Sequence, residues 1–247
     1  MEQLTNNLVD WLRKQVKESH TKGLVVGLSG GIDSAVVTYL IKRAFPEDSL
    51  AVVMPIKSNP NDIKDANKII EDSGIKNYTI DLTQTHETLY NEIHKQINAN
   101  HEWQANKSQI NDANLRARLR MSTLYSVATN YQYLVVGTDN LAEWYTGYFT
   151  KYGDGGSDIL PLIDLTKSEV KELAAYLGID DSVINKVPSA DLWEGQTDEA
   201  EMGTSYEMID AFLNGEDIPK KDRALIESMH QKTEHKRNIP TQYKFKK

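Results

Sequence analysis

The chain has 247 residues, 39% hydrophobic and 26% charged, an ordinary globular balance with enough length for one large α/β domain. It contains no cysteine, which excludes disulfides, thiolate metal sites and a cysteine nucleophile. The net charge of -8 argues against general nucleic-acid affinity. A mean hydropathy of -0.54, with no apolar run near the roughly 18–20 residues of a membrane span, argues against a membrane protein.

The N-terminal stretch MEQLTNNLVDWLRKQVKES carries acidic residues and lacks the apolar centre of a signal peptide, so a cytoplasmic protein is expected. Within it Leu4, Leu8, Leu12 and Val16 recur every four residues and predict a first amphipathic helix, closed near Gly23. Leu24 to Leu28 is a short apolar run of buried-strand type, followed by a glycine pair and a helical stretch from Ala35 to Phe45. Leu50 to Met54 reads as a second strand. Asn59-Pro60 then caps and opens a helix to about Ser73.

Tyr78 to Leu82 is the expected third strand. A polar stretch with a helix follows, then a long helix from about Asn111 to Tyr131 and a fourth strand from Tyr133 to Gly137. Thr166 and Glu169 fit a capping box for a helix that ends at Gly178. Alternation of strands and helices implies a single doubly wound parallel sheet. The expected organisation is one domain, with an α/β core over residues 1–178 and a helical, loop-rich extension over 179–247. Charge divides the extension: Asp180 to Asp217 holds 11 acidic residues and one basic, Lys186, whereas Pro219 to Lys247 holds nine basic and three acidic. A solvated face is the ordinary reading of each run; a basic tail that meets an anion is the sharper one.

Chemistry concentrates in Gly27-Leu28-Ser29-Gly30-Gly31-Ile32-Asp33-Ser34, between the first strand and its helix. Glycines there permit a tight turn that presents backbone N–H groups to an anion, and the helix adds the positive end of its dipole. Ser29 and Ser34 offer hydroxyl donors. The loop matches neither GxxxxGK[ST] nor GxGxxG. Its Asp33 is the distinguishing residue: a carboxylate in a phosphate nest requires a cation between the two, which points to Mg²⁺. The competing role for Asp33 is a plain helix cap.

This SGGIDS loop resembles the pyrophosphate-holding loop of the adenine-nucleotide α-hydrolase families, which cleave ATP between its α- and β-phosphates. Three further stretches resemble the NAD synthetases among them. They are Asn114-Leu115-Arg116-Ala117-Arg118-Leu119-Arg120-Met121, the run from Gly137 through Glu143 to Asp158, and Leu160-Pro161-Leu162 with Leu165-Thr166-Lys167. Lys186 to Leu192 and Thr233 to Arg237 match later elements in order. Ala113 is a departure, since the family commonly has glycine before the asparagine.

The resemblance implies an ammonia-dependent ligase that adenylates the carboxylate of deamido-NAD with ATP and then amidates it, as a homodimer. It places Gly27, Leu28, Ser29, Gly30, Gly31, Ile32, Asp33 and Ser34 around the ATP phosphates, with Thr138, Lys167 and Ser189 also on ATP. Asp33 and Glu143 become the Mg²⁺ carboxylates. Arg118, Lys151, Asp158, His235 and Lys236 would hold deamido-NAD. Asp158 has two available roles, orienting substrate or deprotonating ammonium.

Absence of cysteine removes the nucleophile that glutamine-using relatives need, so ammonia comes from solution or from a separate subunit. Gly153 to Gly156 and Ser189 to Gly203 are the expected covering loops. The tail around His235-Lys236-Arg237, lacking an apolar face, is expected to be mobile until the dinucleotide orders it. His86, His94 and His101 read as surface residues, Arg116 as solvated as readily as not, and Trp11 and Trp103 as packing residues. Two other functions remain to be weighed: a tRNA-modifying adenylating enzyme, and a nucleotide sensor without catalysis. Acidic balance opposes the first; paired magnesium carboxylates oppose the second.

Overall fold

The computed structural model describes residues 1–189, 195 and 197–245. Helix α1 (Glu2–Glu18) leads into β1 (Gly23–Gly27), α2 (Ile32–Ala44), β2 (Ser49–Val53), α3 (Pro60–Ser73) and β3 (Lys76–Thr79). Helices α4 (Thr83–Ala99) and α5 (Ser108–Tyr131) precede β4 (Tyr133–Val136). The remaining helices are α6 (Leu141–Thr146), α7 (Lys167–Leu177), α8 (Asp181–Ile184), α9 (Asp198–Met202), α10 (Tyr206–Leu213), α11 (Lys220–Lys232) and α12 (Glu234–Arg237).

All strand pairings are parallel, in the order β3-β2-β1-β4. Both sheet faces are covered, which is why β1 and β2 are almost wholly apolar and buried. Side chains alternate between two cores. Leu24, Val26, Ala51, Val53 and Val136 join α1, α2 and α7 on one face. Val25, Leu50, Val52 and Val135 meet Leu119, Leu124 and Ala128 of α5 on the other. A third cluster, formed by Ala142, Met202, Tyr206, Ile209, Ile218 and Ile226, binds α6 to the helices of the C-terminal region.

The expected elements are present, with shifts that have local causes. In α1 the buried stripe is Thr5, Val9, Leu12 and Val16, with Leu4 and Leu8 only half-buried, because strict four-residue spacing drifts around a 3.6-residue helix. Strand β3 begins two residues before the expected Tyr78, since left-handed Gly74 ends α3 abruptly. Ile80 and Leu82 lie beyond its end, yet their amides still donate to Val53 and Pro55. Asn59 accepts from the Asn61 amide with Pro60 at the first helical position, and Thr166 with Glu169 forms the expected capping box. Ala113 is buried inside an unbroken α5, where alanine suits the helix better than the glycine common in the family.

Candidate active site

The chain leaves β1 toward β2 and then β3 on one side, while β4 lies on the other. The carboxyl ends of β1 and β4 therefore flank the crevice where an open α/β sheet binds its ligands. A cleft of about 570 Å³ opens there, lined by the loop after β1, the loop after β4, Lys167 and part of α5.

In the loop after β1, Gly30 has φ +88°, and a Cβ added there would lie 2.5 Å from the Asp62 carbonyl oxygen. Only glycine fits. Ser34 donates to the Gly31 carbonyl at 2.9 Å, and the Ser29 and Ser34 hydroxyls lie 3.1 Å apart, so in this state the two hydroxyls brace the loop. Gly31 is the N-cap of α2 and makes no side-chain cap. Asp33 sits in the first helical turn and faces across the crevice, which removes its reading as a plain cap.

There Asp33 Oδ1 accepts from Asn140 Nδ2 at 2.9 Å, while Oδ2 lies 2.6 Å from Lys167 Nζ. Lys167 also reaches Glu143 Oε1 at 3.2 Å. Asn140 caps α6 in a reciprocal box with Glu143, and this box aims the Glu143 carboxylate at the same point. The Lys167 ammonium is buried beneath the Tyr206 ring, 4.7 Å from its centroid. Burial opposes its charge, but Asp33 and Glu143 outweigh burial and hold its pKa above the ordinary lysine value. Burial likewise pushes the Glu143 carboxyl up to about 7 against the pull of Lys167, with the Asp33 charge adding to the rise. Tyr206, kept protonated by burial and by Glu143 and Asp198, lies 3.1 Å from Glu143 Oε1 and 3.0 Å from Asp198 Oδ2.

Two partly buried hard-oxygen carboxylates thus converge on one buried cation, the Lys167 ammonium. The donor chemistry suits Mg²⁺. Among the described residues no cluster of three or more His, Cys, Asp or Glu could hold a metal.

Thr138 and Ser189 line the cleft, as do Gly153, Asp154 and Gly156 of one expected covering loop. The other covering loop is described only in part: residues 190–194 and 196 lie outside the described residues, while Asp198 and Glu201 line the cleft. Lys186, three residues before that loop, is ion-paired with Asp62 and Asp65 of α3. Of the residues expected on deamido-NAD, Arg118, Lys151 and His235 form a chain of contacts. Arg118 donates twice to the Lys151 carbonyl at 3.3 Å, and Lys151 Nζ donates to the His235 carbonyl. Lys236 alone of that expected set lines the cleft. Asp158 stands apart, accepting from Tyr125 Oη at 3.0 Å and the Val135 amide at 2.7 Å.

One expectation is corrected and one open alternative is decided. His86 is not a surface residue; it is 1% exposed, on the face of α4 that meets Asp112 of α5. Arg116 is buried and paired with Asp112 rather than solvated. In the tail, Lys236 donates to the carbonyls of Gly147 and Phe149 at 2.7 and 2.6 Å, and Arg237 to those of Trp144 and Tyr145. Helix α12 buries no residue, so backbone carbonyls take the place of the missing apolar face. His94 packs edge-on against Trp103, and Trp11 packs against the core, as packing residues.

Sequence reading assigned no role to Asn140, Asp139, Asp198 or Tyr206. The Asn-x-x-Glu spacing of a capping box signals Asn140. Asp139 is 4% exposed and lines the cleft, and burial first and Asp154 next push its carboxyl up. Nothing in sequence brings Asp198 and Tyr206 to Glu143, because that contact crosses more than fifty residues of chain.

The family model described as NAD synthase matches residues 4–240. An NH₃-dependent NAD⁺ synthetase of Alkaliphilus metalliredigens is 58% identical over 236 residues, 94% of each chain. Among solved structures, an NMN synthetase from Francisella tularensis superposes with a TM-score of 0.90 at 39% identity, covering 99% of this chain and 98% of its own. An NH₃-dependent NAD synthetase from Campylobacter jejuni gives 0.78 at 31%, covering 98% of both. The doubly wound fold, the phosphate loop at its switch point and a match over nearly the whole length agree: the chain belongs to the NAD synthase family, ligases that use ATP to amidate the deamidated precursor of NAD.

Proposed function

We propose that this chain converts deamido-NAD to NAD with free ammonia, through an acyl adenylate, with release of AMP and pyrophosphate. The observation that carries the reading is the convergence of Asp33, Glu143 and Lys167 beside the glycine loop. Asp33 and Glu143 would hold Mg²⁺, which when bound neutralises charge on the departing pyrophosphate. The loop from Gly27 to Ser34 presents amides to that pyrophosphate, and Lys167 supplies a fixed positive charge beside it. A carboxylate oxygen of the dinucleotide attacks the α-phosphorus, the bond to the pyrophosphate oxygen breaks, and the adenylate forms. Ammonia then attacks the acyl carbon, AMP leaves with the oxygen, and one proton passes to solvent.

Thr138 and Ser189 contact ATP, and Arg118, Lys151, Asp158, His235 and Lys236 hold the dinucleotide. Both Asp158 oxygens already accept hydrogen bonds, which supports an orienting role over proton transfer. The reading includes a homodimer and the division at residues 178/179.

Incubation with ATP, Mg²⁺, ammonium and deamido-NAD is expected to yield NAD, AMP and pyrophosphate. Formation of ADP and phosphate would sink the mechanism. Likeness to the Francisella NMN synthetase favours one second reading, amidation of the mononucleotide acid. Competing the two acids in the same assay decides it: the preferred substrate has the larger kcat/KM.

A further inference from the structure

Helix α5 carries three arginines, and spacing alone sorts them. Asp112, Arg116 and Arg120 recur every four residues and share one stripe, whereas Arg118 projects elsewhere, to Lys151. The stripe faces the loop that joins β2 to α3. Arg120 Nε donates to the Met54 carbonyl at 3.1 Å, and its Nη2 lies 3.4 Å from Ser58 Oγ. Arg116 Nη1 donates to the Ile56 carbonyl at 3.5 Å. Behind Arg116 stands Asp112, in ion contact with it, and behind Asp112 stands buried His86, its Nε2 3.2 Å from Asp112 Oδ1 and its ring stacked on Tyr90.

The loop is held from its other side as well. Val53 and Pro55 carbonyls accept from the Ile80 and Leu82 amides, each at 2.9 Å. Four successive carbonyls, Val53 to Ile56, are therefore all engaged, alternately by the strand edge and by α5. Lys57 follows with φ +52°, a left-handed conformation rare for lysine, and its amide donates to Thr83 Oγ1 at 3.3 Å. A strained residue persists only where its surroundings over-determine it.

This loop is also a wall of the cleft: Val53, Met54, Pro55 and Ser58 line it on the side away from β4, next to the phosphate loop. With the ATP phosphates on Gly27–Ser34 as proposed, this largely apolar wall is the adjoining surface open to the nucleoside. We propose that Arg116, with Asp112 behind it, is a positioning residue that presets the nucleoside wall through the Ile56 carbonyl from outside the cleft, whereas Arg120, which holds the Met54 carbonyl, itself lines the cleft. A wall fixed in advance spares the ordering cost of binding, so its loss appears in nucleotide affinity rather than in chemistry.

The inference rests on the proposed use of ATP, and wild-type formation of AMP and NAD tests that separately. Arg116→Met and Asp112→Asn are each compared with wild type by calorimetry against AMP and against inorganic pyrophosphate, and by steady-state kinetics. Asp112→Asn keeps the guanidinium and removes only its support, so it stands in if Arg116→Met does not fold. Expected are AMP affinity and KM for ATP weakened tenfold or more, with pyrophosphate affinity, KM for deamido-NAD and kcat all within threefold. A parallel loss of pyrophosphate affinity would mean general structural damage and overturn the inference, as would unchanged affinity for AMP.

Discussion

Asp33 and Lys167 carry opposite charges 2.6 Å apart, and each compensates the other. Asp33→Ala removes a proposed magnesium ligand but leaves Glu143 as a counterion for Lys167. Adenylation is expected to fall at least about a hundredfold, the scale of losing one preorganised electrostatic group. Pyrophosphate release measures this, and activity near wild type at saturating Mg²⁺ would remove Asp33 from the site. Lys167→Met has a different signature. It leaves two partly buried carboxylates facing each other without a cation, and breaking a fully buried pair costs about 3–5 kcal/mol, an upper bound here. Mg²⁺ is the natural replacement. The metal-free variant should melt well below wild type and recover more than wild type does on adding Mg²⁺; equal Mg²⁺ responses in thermal melts would contradict the shared cation position. Legibility at this scale was uneven. Asp33 stood out because a carboxylate in a phosphate nest is anomalous on its own, whereas the burial of Lys167 depends on a contact 134 residues distant in sequence.

Turns and caps were the most readable elements. Asn59-Pro60 and Thr166-x-x-Glu169 cap helices through bonds that lie within a few residues, so local sequence contains the whole interaction. Gly30 is the element-scale counterpart in the active site. Gly30→Ala would require an L residue at φ +88° and a Cβ in contact with the Asp62 carbonyl. Calorimetry is expected to show lost ATP affinity, with a stability cost above about 1 kcal/mol in denaturant titration; retention of both would mean the loop tolerates another path. Helix α12 behaves in the opposite way. Its sequence looks like a free basic tail, but Lys236 and Arg237 donate to carbonyls around α6. If these bonds hold the tail by themselves, hydrogen exchange finds residues 234–237 protected with and without the dinucleotide. Protection that appears only with deamido-NAD would restore the mobile tail.

For the molecule as a whole, the proposed homodimer predicts a solution mass twice the 28.0 kDa of the chain, readable by light scattering; a stable monomer with full activity would remove it. Periodicity, caps and the position of the glycine loop sufficed for the parallel α/β class and for the crevice at the end of β1, because each depends on bonds or hydrophobic patterns within a short stretch. Composition alone settled the absence of a cysteine nucleophile. Tertiary structure decided the rest. It put α5 against the exit of β2, buried His86 and Arg116, gathered Asp33, Glu143 and Lys167 around one cation position, and docked α12 on carbonyls. Each of these joins groups far apart in the chain, and their partnering depends on which faces the sheet brings together rather than on local preference.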